Sequence, residues 1–216
     1  MRRGKAYDLM AASPTILLCS FAVVGFGIQI QALLSSGIDL RSALSICVKV
    51  LSAAFAALQA VLLLVRRLPI AKSDGWTPRV VAVLGANTAL ALFALPLQTA
   101  SEARDVISSA VIITGLTGCV VALSALGRAF SILPQARQLV TSGPYHIVRH
   151  PLYLAEQVAS AGIMLQYRQP WSFIIFIAGF SLQLARIKFE EQTLAKQFPQ
   201  YRDYARHTPK LFPGVY

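Results

Sequence analysis

Four long apolar runs limit the fold of this chain more than any other feature of its sequence. They lack the alternation of apolar and polar residues that marks a half-exposed strand. A helix of about 20 residues crosses the ~30 Å hydrocarbon core of a bilayer. We therefore predict four transmembrane helices, at about Pro14–Leu34, Ala43–Val65, Val80–Leu97 and Val106–Leu126.

Composition and charge also indicate a membrane location. The chain is 56% hydrophobic and only 13% charged, whereas a soluble domain carries about 25% charged residues. The net charge is +11, and Lys and Arg cluster between the apolar runs. This distribution favours anionic lipid headgroups as partners over nucleic acid. We predict an integral protein of a bacterial inner membrane, with both termini in the cytoplasm.

The second half of the chain has a different character. Residues 127–142 are too polar to span a membrane, whereas Pro151–Gln166 and the run that starts at Trp171 are apolar again. The first of these two runs measures only about 24 Å as a helix. We predict a short hairpin turning at Tyr167–Pro170, with its second arm continuing through Arg186–Tyr204 as a cytoplasmic amphipathic helix.

The predicted fold is thus an all-α, polytopic membrane helix bundle of about six transmembrane helices. If the last hairpin enters the membrane without crossing it, the chain has four crossings, and both termini still lie in the cytoplasm. Residues 1–126 form the scaffold and residues 127–216 form the functional region. Gly115 and Gly118 lie in the fourth run, where small residues allow close contact between helices.

A connector at Gly143–Tyr153 joins the two regions. It combines two prolines, two histidines, an arginine and two tyrosines. Pro151 disfavours helix at His150 and suits the first position of the following helix. Arg149 and His150 then lie at a helix N-terminus, which attracts negative or oxygen-rich groups. An ordinary alternative is a basic, aromatic loop at the level of the lipid headgroups.

Polar residues recur at helical spacing on both arms of the hairpin. The first arm carries Tyr153, Glu156, Gln157 and Ser160 on one helix face, and the second arm carries Gln183, Arg186 and Glu190 on one face. Charged groups at membrane depth usually line a cavity or pair with each other. Two simpler explanations stay open: a helix-surface salt bridge for Arg186–Glu190, and a snorkelling side chain for Glu156.

The sequence argues against several other chemistries. It contains no Gly-x-Ser-x-Gly, no His-Glu-x-x-His and no phosphate loop ending Gly-Lys-Ser/Thr. Its three histidines and three cysteines do not have the spacing of a metal site. We therefore predict no metal.

Two blocks of the second half carry a family resemblance. The first is Leu139–Tyr153, which reads Leu-Val-Thr-Ser-Gly-Pro-Tyr-His-Ile-Val-Arg-His-Pro-Leu-Tyr. The second is Arg186–Leu194, followed by Phe198, Tyr201 and Tyr204. In this order they resemble the isoprenylcysteine carboxyl methyltransferase family, over about residues 124–214. Membrane-associated phospholipid N-methyltransferases are similar as well.

The resemblance implies a membrane-embedded helical fold that binds S-adenosylmethionine at the cytosolic face and methylates lipophilic substrates. Arg186 and Glu190 match the family's substrate-end pair and are the implied catalytic residues. Glu156 and Gln183 are further candidates on the substrate side. The implied cofactor-binding residues are Gly143, Pro144, Tyr145, Arg149, His150, Tyr153 and Glu191.

The predicted activity is methyl transfer to a lipophilic acceptor, in first place the carboxylate of an isoprenoid-type or isoprenylcysteine-like molecule. A carboxylate needs no base, and Arg186 would hold it by paired hydrogen bonds. An amine acceptor, as in phospholipid N-methylation, would need Glu190 or Glu156 to accept a proton. A sterol-type NADPH reductase and a non-enzymatic lipid-binding protein are the remaining alternatives.

Overall fold

The computed structural model describes residues 2–35 and 37–214, with side chains from residue 5 onward. Helices dominate this part of the chain, and a single antiparallel pair of two-residue strands joins two loops. In chain order the elements are α1 (Arg2–Ser35), α2 (Leu40–Val65), β1 (Ala71–Lys72), α3 (Thr77–Asn87), a 3₁₀ helix (Thr88–Ala94), α4 (Glu102–Leu126), a 3₁₀ turn (Gly127–Ala129), β2 (Gln135–Ala136), α5 (Pro144–Ile147), α6 (Pro151–Gln166), α7 (Trp171–Gln197) and α8 (Tyr201–His207).

The chain is an all-α polytopic membrane bundle, as predicted. Within the described residues, five helices are long and apolar enough to cross a membrane: Lys5–Ser35, Leu40–Val65, Thr77–Ala94, Glu102–Ala129 and Trp171–Gln197. Helix α6 has the predicted bounds but only 16 residues, about 24 Å. A sixth crossing by α6 therefore stays a prediction, as does the division of the chain at residue 126.

Helix α1 begins earlier than predicted. Pro14 does not open it but lies inside it, where a proline removes one backbone donor. The carbonyl that this donor would have reached belongs to Met10, and the Ser13 hydroxyl donates to it at 2.8 Å. The neighbouring side chain thus supplies the missing hydrogen bond, and the helix continues through the proline.

The third predicted span is not one continuous α-helix. Helix α3 ends at Asn87, and a 3₁₀ helix continues to Ala94. At the junction, Asn87 Nδ2 donates to the Val83 carbonyl at 2.8 Å and Thr88 Oγ1 to the Leu84 carbonyl at 2.6 Å. Such side chains compete with backbone donors for helical carbonyls, which explains the change of helix type.

Helices α4 and α6 pack against each other at very short range. A Cβ atom placed on Gly115 would lie 2.3 Å from the Ala159 nitrogen, and one on Gly162 would lie 2.9 Å from the Ser108 carbonyl. The Ser108 hydroxyl donates to the Gly162 carbonyl at 2.9 Å. On Gly118 a Cβ would meet Ala155 Cβ at 3.0 Å. The close contact predicted for Gly115 and Gly118 is therefore present.

The segment after α4 is tied to the N-terminal half by backbone and ionic contacts. Strands β1 and β2 pair, with Ala71 opposite Ala136. Asp8 lies between two buried arginines: Arg66 Nε donates to Oδ2 at 2.8 Å and an Arg137 Nη donates to Oδ1 at 2.9 Å. We call these three residues the Arg–Asp cluster. It joins α1, the end of α2 and the loop after α4.

The amphipathic helix predicted to run through Tyr204 is interrupted. Helix α7 ends at Gln197, Phe198 is extended with φ −117° and ψ 106°, and α8 starts at Tyr201. Pro199 causes the break, because proline disfavours helix at the residue before it and has no backbone donor. The break lets α8 fold back, and the following tail reaches the connector.

Candidate active site

The connector takes its shape from its glycine and prolines. Gly143 has φ 61°, a left-handed conformation that glycine adopts at little cost. Pro144 then opens the short helix α5, the chain is extended at Val148, and Pro151 occupies the first turn of α6. The bent connector and the helix start predicted from the prolines are both present.

The C-terminal tail holds the connector through main-chain atoms. The Arg149 nitrogen donates to the Pro209 carbonyl at 2.8 Å, and the His150 nitrogen donates to the Lys210 carbonyl at 3.1 Å. In addition, the Tyr204 hydroxyl donates to the Tyr145 carbonyl at 2.5 Å. Helix α8 and the tail therefore lie over the connector.

Glu191 brings together nitrogen-bearing side chains from the connector and the tail. An Arg149 Nη lies 2.7 Å from Oε1, His150 Nε2 lies 3.2 Å from the same oxygen, and Lys210 Nζ lies 3.6 Å from Oε2. The Glu191 side chain is only 17% exposed, so solvent screens these contacts weakly. The predicted meeting of the connector with the second block is thus a feature of the fold.

A second group of contacts surrounds Tyr153. Its hydroxyl donates to Glu190 Oε2 at 2.5 Å. The Arg186 Cζ lies 4.6 Å from the Tyr153 ring centroid, within the range of a cation–π interaction. The His150 and Tyr153 rings stack with centroids 5.5 Å apart and planes inclined by 6°. Tyr153 therefore links the connector to α7.

Arg186 is buried, and no carboxylate among the described residues lies within hydrogen-bond distance of it. Its Nη atoms donate to the Ile132 carbonyl at 3.1 Å and to Gln183 Oε1 at 3.5 Å. The nearest carboxylate oxygen among its ion pairs belongs to Glu156, 4.0 Å away. Glu156 instead accepts a 2.7 Å hydrogen bond from Gln183 Nε2.

A helix-surface salt bridge between Arg186 and Glu190 does not fit the structure. Glu190 pairs with Tyr153, and no ion pair between Arg186 and Glu190 occurs in the described part of the chain. Arg186 is 3% exposed, so it is not on the helix surface. The Arg186 Nε is buried without a hydrogen-bond partner among the described residues, which leaves part of its donor set free for a ligand.

Two cavities meet at Arg186. The smaller, about 60 Å³, lies between the connector, α8 and residues 126–140, which we call the wall segment. The larger, about 420 Å³, is mainly apolar and lies among α1, α2, α3 with its 3₁₀ extension, α4, α6 and α7. Of the residues that the structure describes, only Phe130 and Arg186 line both cavities, so they form the boundary between them.

The predicted site residues divide between the cavities. The larger cavity is lined by Glu156, Gln183 and Arg186. Gly143, Pro144 and Glu191 line neither, whereas Arg149 and His150, which Glu191 contacts, line the smaller cavity. Of the predicted set, the smaller cavity is lined by Tyr145, Arg149, His150, Tyr153, Arg186 and Glu190.

The sequence analysis missed one side of the smaller cavity. The wall segment contributes polar side chains from Ser131, Gln135 and Gln138. In the sequence, the wall segment is marked only as a polar stretch between apolar runs. Polarity alone does not show which of its side chains face a cavity. Tyr201 and Tyr204 also line this cavity; they were noted only as part of the second block.

The phenols at the smaller cavity stay protonated at neutral pH. Burial raises the pKa of Tyr204 to about 12, with Glu191 acting in the same direction. Burial also raises the pKa of Tyr145 far above its usual value, and Glu190 adds to the effect. These hydroxyls are therefore hydrogen-bond donors, as in the contact from Tyr204 to Tyr145.

Known proteins resemble the part of the chain that builds this site. Residues 103–201 match the phospholipid methyltransferase family. A nickel-cobalt-cadmium resistance protein, NccN, of Alcaligenes xylosoxydans is 35% identical over 114 residues, which are 50% of this chain and 53% of that protein. The cobalt-zinc-cadmium resistance protein CzcN of Cupriavidus metallidurans is 33% identical over 114 residues, 50% of this chain and 52% of that protein.

A plant enzyme shows a similar match. Protein-S-isoprenylcysteine O-methyltransferase B of Arabidopsis thaliana is 35% identical over 101 residues, 44% of this chain and 51% of that enzyme. The chain spans about half the length of each of these curated relatives. The apolar helices and the match of residues 103–201 together define an integral membrane protein with a methyltransferase-type domain. Residues 103–201 are thus similar to the phospholipid methyltransferase family, and about half of the chain is similar to an isoprenylcysteine methyltransferase, which confirms the resemblance seen in the sequence.

Proposed function

We propose that this protein transfers a methyl group from S-adenosylmethionine to a lipophilic acceptor that enters from the larger cavity. The observation that carries the proposal is the position of Arg186, whose side chain lines both cavities. One face of the site is polar and aromatic, whereas the other is mainly apolar. A polar cosubstrate and a lipid-like acceptor can therefore reach the same guanidinium from opposite sides.

The residues of the smaller cavity fit an S-adenosyl nucleoside. Aromatic rings of Tyr145, Tyr153 and Tyr201 line it, and such rings attract cations. The Arg149 Nε is buried without a partner among the described residues, so it is free to donate to a ligand. When bound, S-adenosylmethionine supplies a methyl group on a sulfonium, which already has a good leaving group.

Binding requires this cavity to widen. Its volume of about 60 Å³ lies below the ~300–1,000 Å³ of typical small-molecule pockets. Helix α8 is seven residues long and is joined to α7 by the break at Pro199. We infer that α8 and the tail move outward to admit the ligand. The larger cavity, about 420 Å³, is already in the usual range.

For the acceptor we propose a carboxylate, such as that of an isoprenoid acid or an isoprenylcysteine-like molecule. Arg186 has free donor capacity and no carboxylate closer than 4.0 Å among its ion pairs. A guanidinium binds a carboxylate by paired, charge-assisted hydrogen bonds. Arg186 would hold the acceptor oxygen in position, and its packing on the Tyr153 ring keeps the guanidinium from turning away.

An amine acceptor is the second candidate. The match of residues 103–201 to the phospholipid methyltransferase family supports it, and Glu156 lines the larger cavity beside Arg186. In this reaction Glu156 would accept the proton of the incoming amine. Replacement of Glu156 by Gln separates the candidates: an amine reaction should lose about 10²–10⁴-fold in rate without its base, whereas ester formation should fall less than about 10-fold.

The decisive experiment uses purified full-length protein, S-adenosylmethionine with a radiolabelled methyl group, and a total lipid extract. Label that alkali releases as volatile methanol identifies a methyl ester, and label that resists alkali identifies an N-methyl product. Calorimetric titration with S-adenosylmethionine and with NADPH tests the remaining alternatives. Heat with NADPH alone would favour a reductase, and no heat with either would favour a non-enzymatic lipid-binding protein.

We further propose that the site opens at the cytoplasmic face of a bacterial inner membrane, with both termini on that side. The clustering of Lys and Arg in the N-terminal segment, residues 66–79 and residues 127–149 supports this orientation. Met1 and residues 215–216 at the two termini lie outside the described residues. Labelling of single cysteines by a membrane-impermeant reagent, in intact and opened cells, tests the sidedness.

A further inference from the structure

Gln135 lies on the wall of the smaller cavity, and the oxygen of its side-chain amide accepts two hydrogen bonds from neighbouring residues. Its Oε1 accepts a 2.7 Å hydrogen bond from an Arg137 Nη and a 3.3 Å hydrogen bond from the Ser131 hydroxyl. Arg137 itself is 2% exposed. It is fixed by Asp8 at 2.9 Å and by the Arg67 carbonyl.

These contacts determine which way round the amide lies. A carboxamide presents one acceptor oxygen and one donor nitrogen. If the Gln135 group were turned over, its Nε2 would face the Arg137 guanidinium, which has only donors. The charged donor therefore holds Oε1 against Arg137 and turns Nε2 away from that guanidinium.

The Nε2 of Gln135 is available to a ligand. Gln135 lines the smaller cavity. Its Nε2 is not one of the buried side-chain atoms without a hydrogen-bond partner. Within residues 5–35 and 37–214, Gln135 makes side-chain hydrogen bonds only through Oε1. A hydrogen bond from a charged group also polarises the amide that accepts it, which strengthens Nε2 as a donor.

We propose that Gln135 is a ligand-binding residue whose Nε2 donates to an acceptor atom, a ring nitrogen or an oxygen, of the nucleoside part of S-adenosylmethionine. This inference rests on the proposed function, because it takes an S-adenosyl nucleoside as the ligand of the smaller cavity. Arg137 and Asp8 are positioning residues: they do not line the cavity but fix the amide that does.

The assignment involves a part of the protein outside the region of family similarity. Asp8 and Arg66 come from α1 and the end of α2, whereas the family match begins at residue 103. The N-terminal helices therefore contribute to ligand recognition by orienting one amide, in addition to enclosing the larger cavity.

The test measures binding of S-adenosylhomocysteine, which lacks the sulfonium charge, to the purified full-length protein by calorimetry. Gln135→Glu keeps an oxygen for Arg137 and Ser131 but replaces the cavity-facing donor by an acceptor. We expect its Kd to rise about 10-fold or more, since a lost hydrogen bond is replaced by a repulsive contact. Gln135→Met removes the donor without adding charge and should weaken binding about 3–10-fold.

Gln169→Glu is the matched control, because the same change is made at an exposed residue in the turn between α6 and α7, away from the cavity. Its Kd should stay within about twofold of the wild-type value. If Gln135→Glu or a folded Gln135→Met binds as tightly as wild type or more tightly, the inference is wrong. If the wild-type protein binds neither S-adenosylhomocysteine nor S-adenosylmethionine, the proposed function itself fails, and the inference fails with it.

Discussion

Two groups of arginine and carboxylate in the structure, one at Asp8 and one at Arg186, are built differently. In the Arg–Asp cluster, Asp8 contacts Arg66 at 2.8 Å and Arg137 at 2.9 Å. At the boundary of the two cavities, Arg186 lies 4.0 Å from Glu156 and packs on the Tyr153 ring instead. The first group uses its charges on each other, which suits a structural joint. In the second group, no carboxylate among the described residues lies within hydrogen-bond distance of the Arg186 guanidinium, which suits a site that receives a charged ligand.

The largest effect should come from removing the carboxylate of the Arg–Asp cluster. Asp8→Ala would leave two buried guanidiniums without their carboxylate, and breaking a buried ion pair in this way costs about 3–5 kcal/mol. We expect a clear fall in the thermal unfolding midpoint of the purified protein in detergent. Asp74→Ala serves as control, because Asp74 is 92% exposed in its pair with Lys196 and exposed pairs contribute about 0–1 kcal/mol. Equal midpoints for the two variants would contradict the structural role of the cluster.

The next largest effect concerns Arg186 and should appear in the rate of methyl transfer. Arg186→Met should lower the rate of methyl transfer to a carboxylate by about 10²–10³-fold, the usual loss when one preorganised donor is removed. Binding of S-adenosylhomocysteine should change little. Arg168→Met, an exposed arginine in the turn before α7, is the control. Unchanged turnover of Arg186→Met would reject a role for Arg186 in holding the acceptor.

A smaller effect should follow from changing Glu191. Its contact with Arg149 is as short as those in the Arg–Asp cluster, but its side chain is more exposed than that of Asp8. Glu191→Gln removes the negative charge that contacts Arg149 and Lys210 and lies beside His150. Hydrogen bonds between charged groups contribute about 1.5–3 kcal/mol, so we expect at least a 10-fold weaker binding of S-adenosylhomocysteine. Glu102→Gln, an exposed residue at the start of α4, should bind normally. Full affinity of Glu191→Gln would show that the smaller cavity does not depend on this carboxylate.

The smallest effect should come from Tyr204, whose hydroxyl donates to the Tyr145 carbonyl. Tyr204→Phe should lower the free energy of unfolding by about 1 kcal/mol, the usual value of one hydrogen bond. The pKa of Tyr204 is about 12 in the folded protein and about 10 in an unfolded chain. Its contribution is therefore fully present below pH ~10 and is lost as the pH rises through ~12.

Unfolding curves at pH 8 and pH 11 test this prediction. The wild-type protein should lose more stability than Tyr204→Phe between the two values, because only the wild type has this phenol to ionise on unfolding. A difference between the proteins that does not change with pH would contradict the shifted pKa, although it would leave the hydrogen bond itself in place.

Much of the fold was predictable, because apolar length and proline position act locally. The bounds of α6 followed from Pro151 and from the turn before Pro170. Local reasoning was wrong at the end of α7, where Pro199 interrupts a helix that the apolar spacing predicted to continue. Helix α1 starts earlier than the predicted span, because the Ser13 hydroxyl reaches the Met10 carbonyl beside Pro14. In both cases one neighbouring residue decided the outcome.

The site was predictable only in part. The approach of Glu191 to Arg149 and His150 followed from a hairpin whose ends must return to the same side. The wall segment was not predictable, because Asp8 and Arg137 lie 129 positions apart and neither belongs to a periodic pattern. The catalytic and binding roles assigned to the individual site residues stay predictions, for which the variants above are the tests.

The attachment of the tail to the connector has one more consequence. Both joining hydrogen bonds use carbonyl groups of the tail, at Pro209 and Lys210, and every amino acid offers a carbonyl. Exchanging side chains at these positions should thus leave the attachment in place, whereas deleting a single residue between α8 and Pro209 would put the carbonyls out of register. Sequence drift should be tolerated here far more readily than a change in loop length.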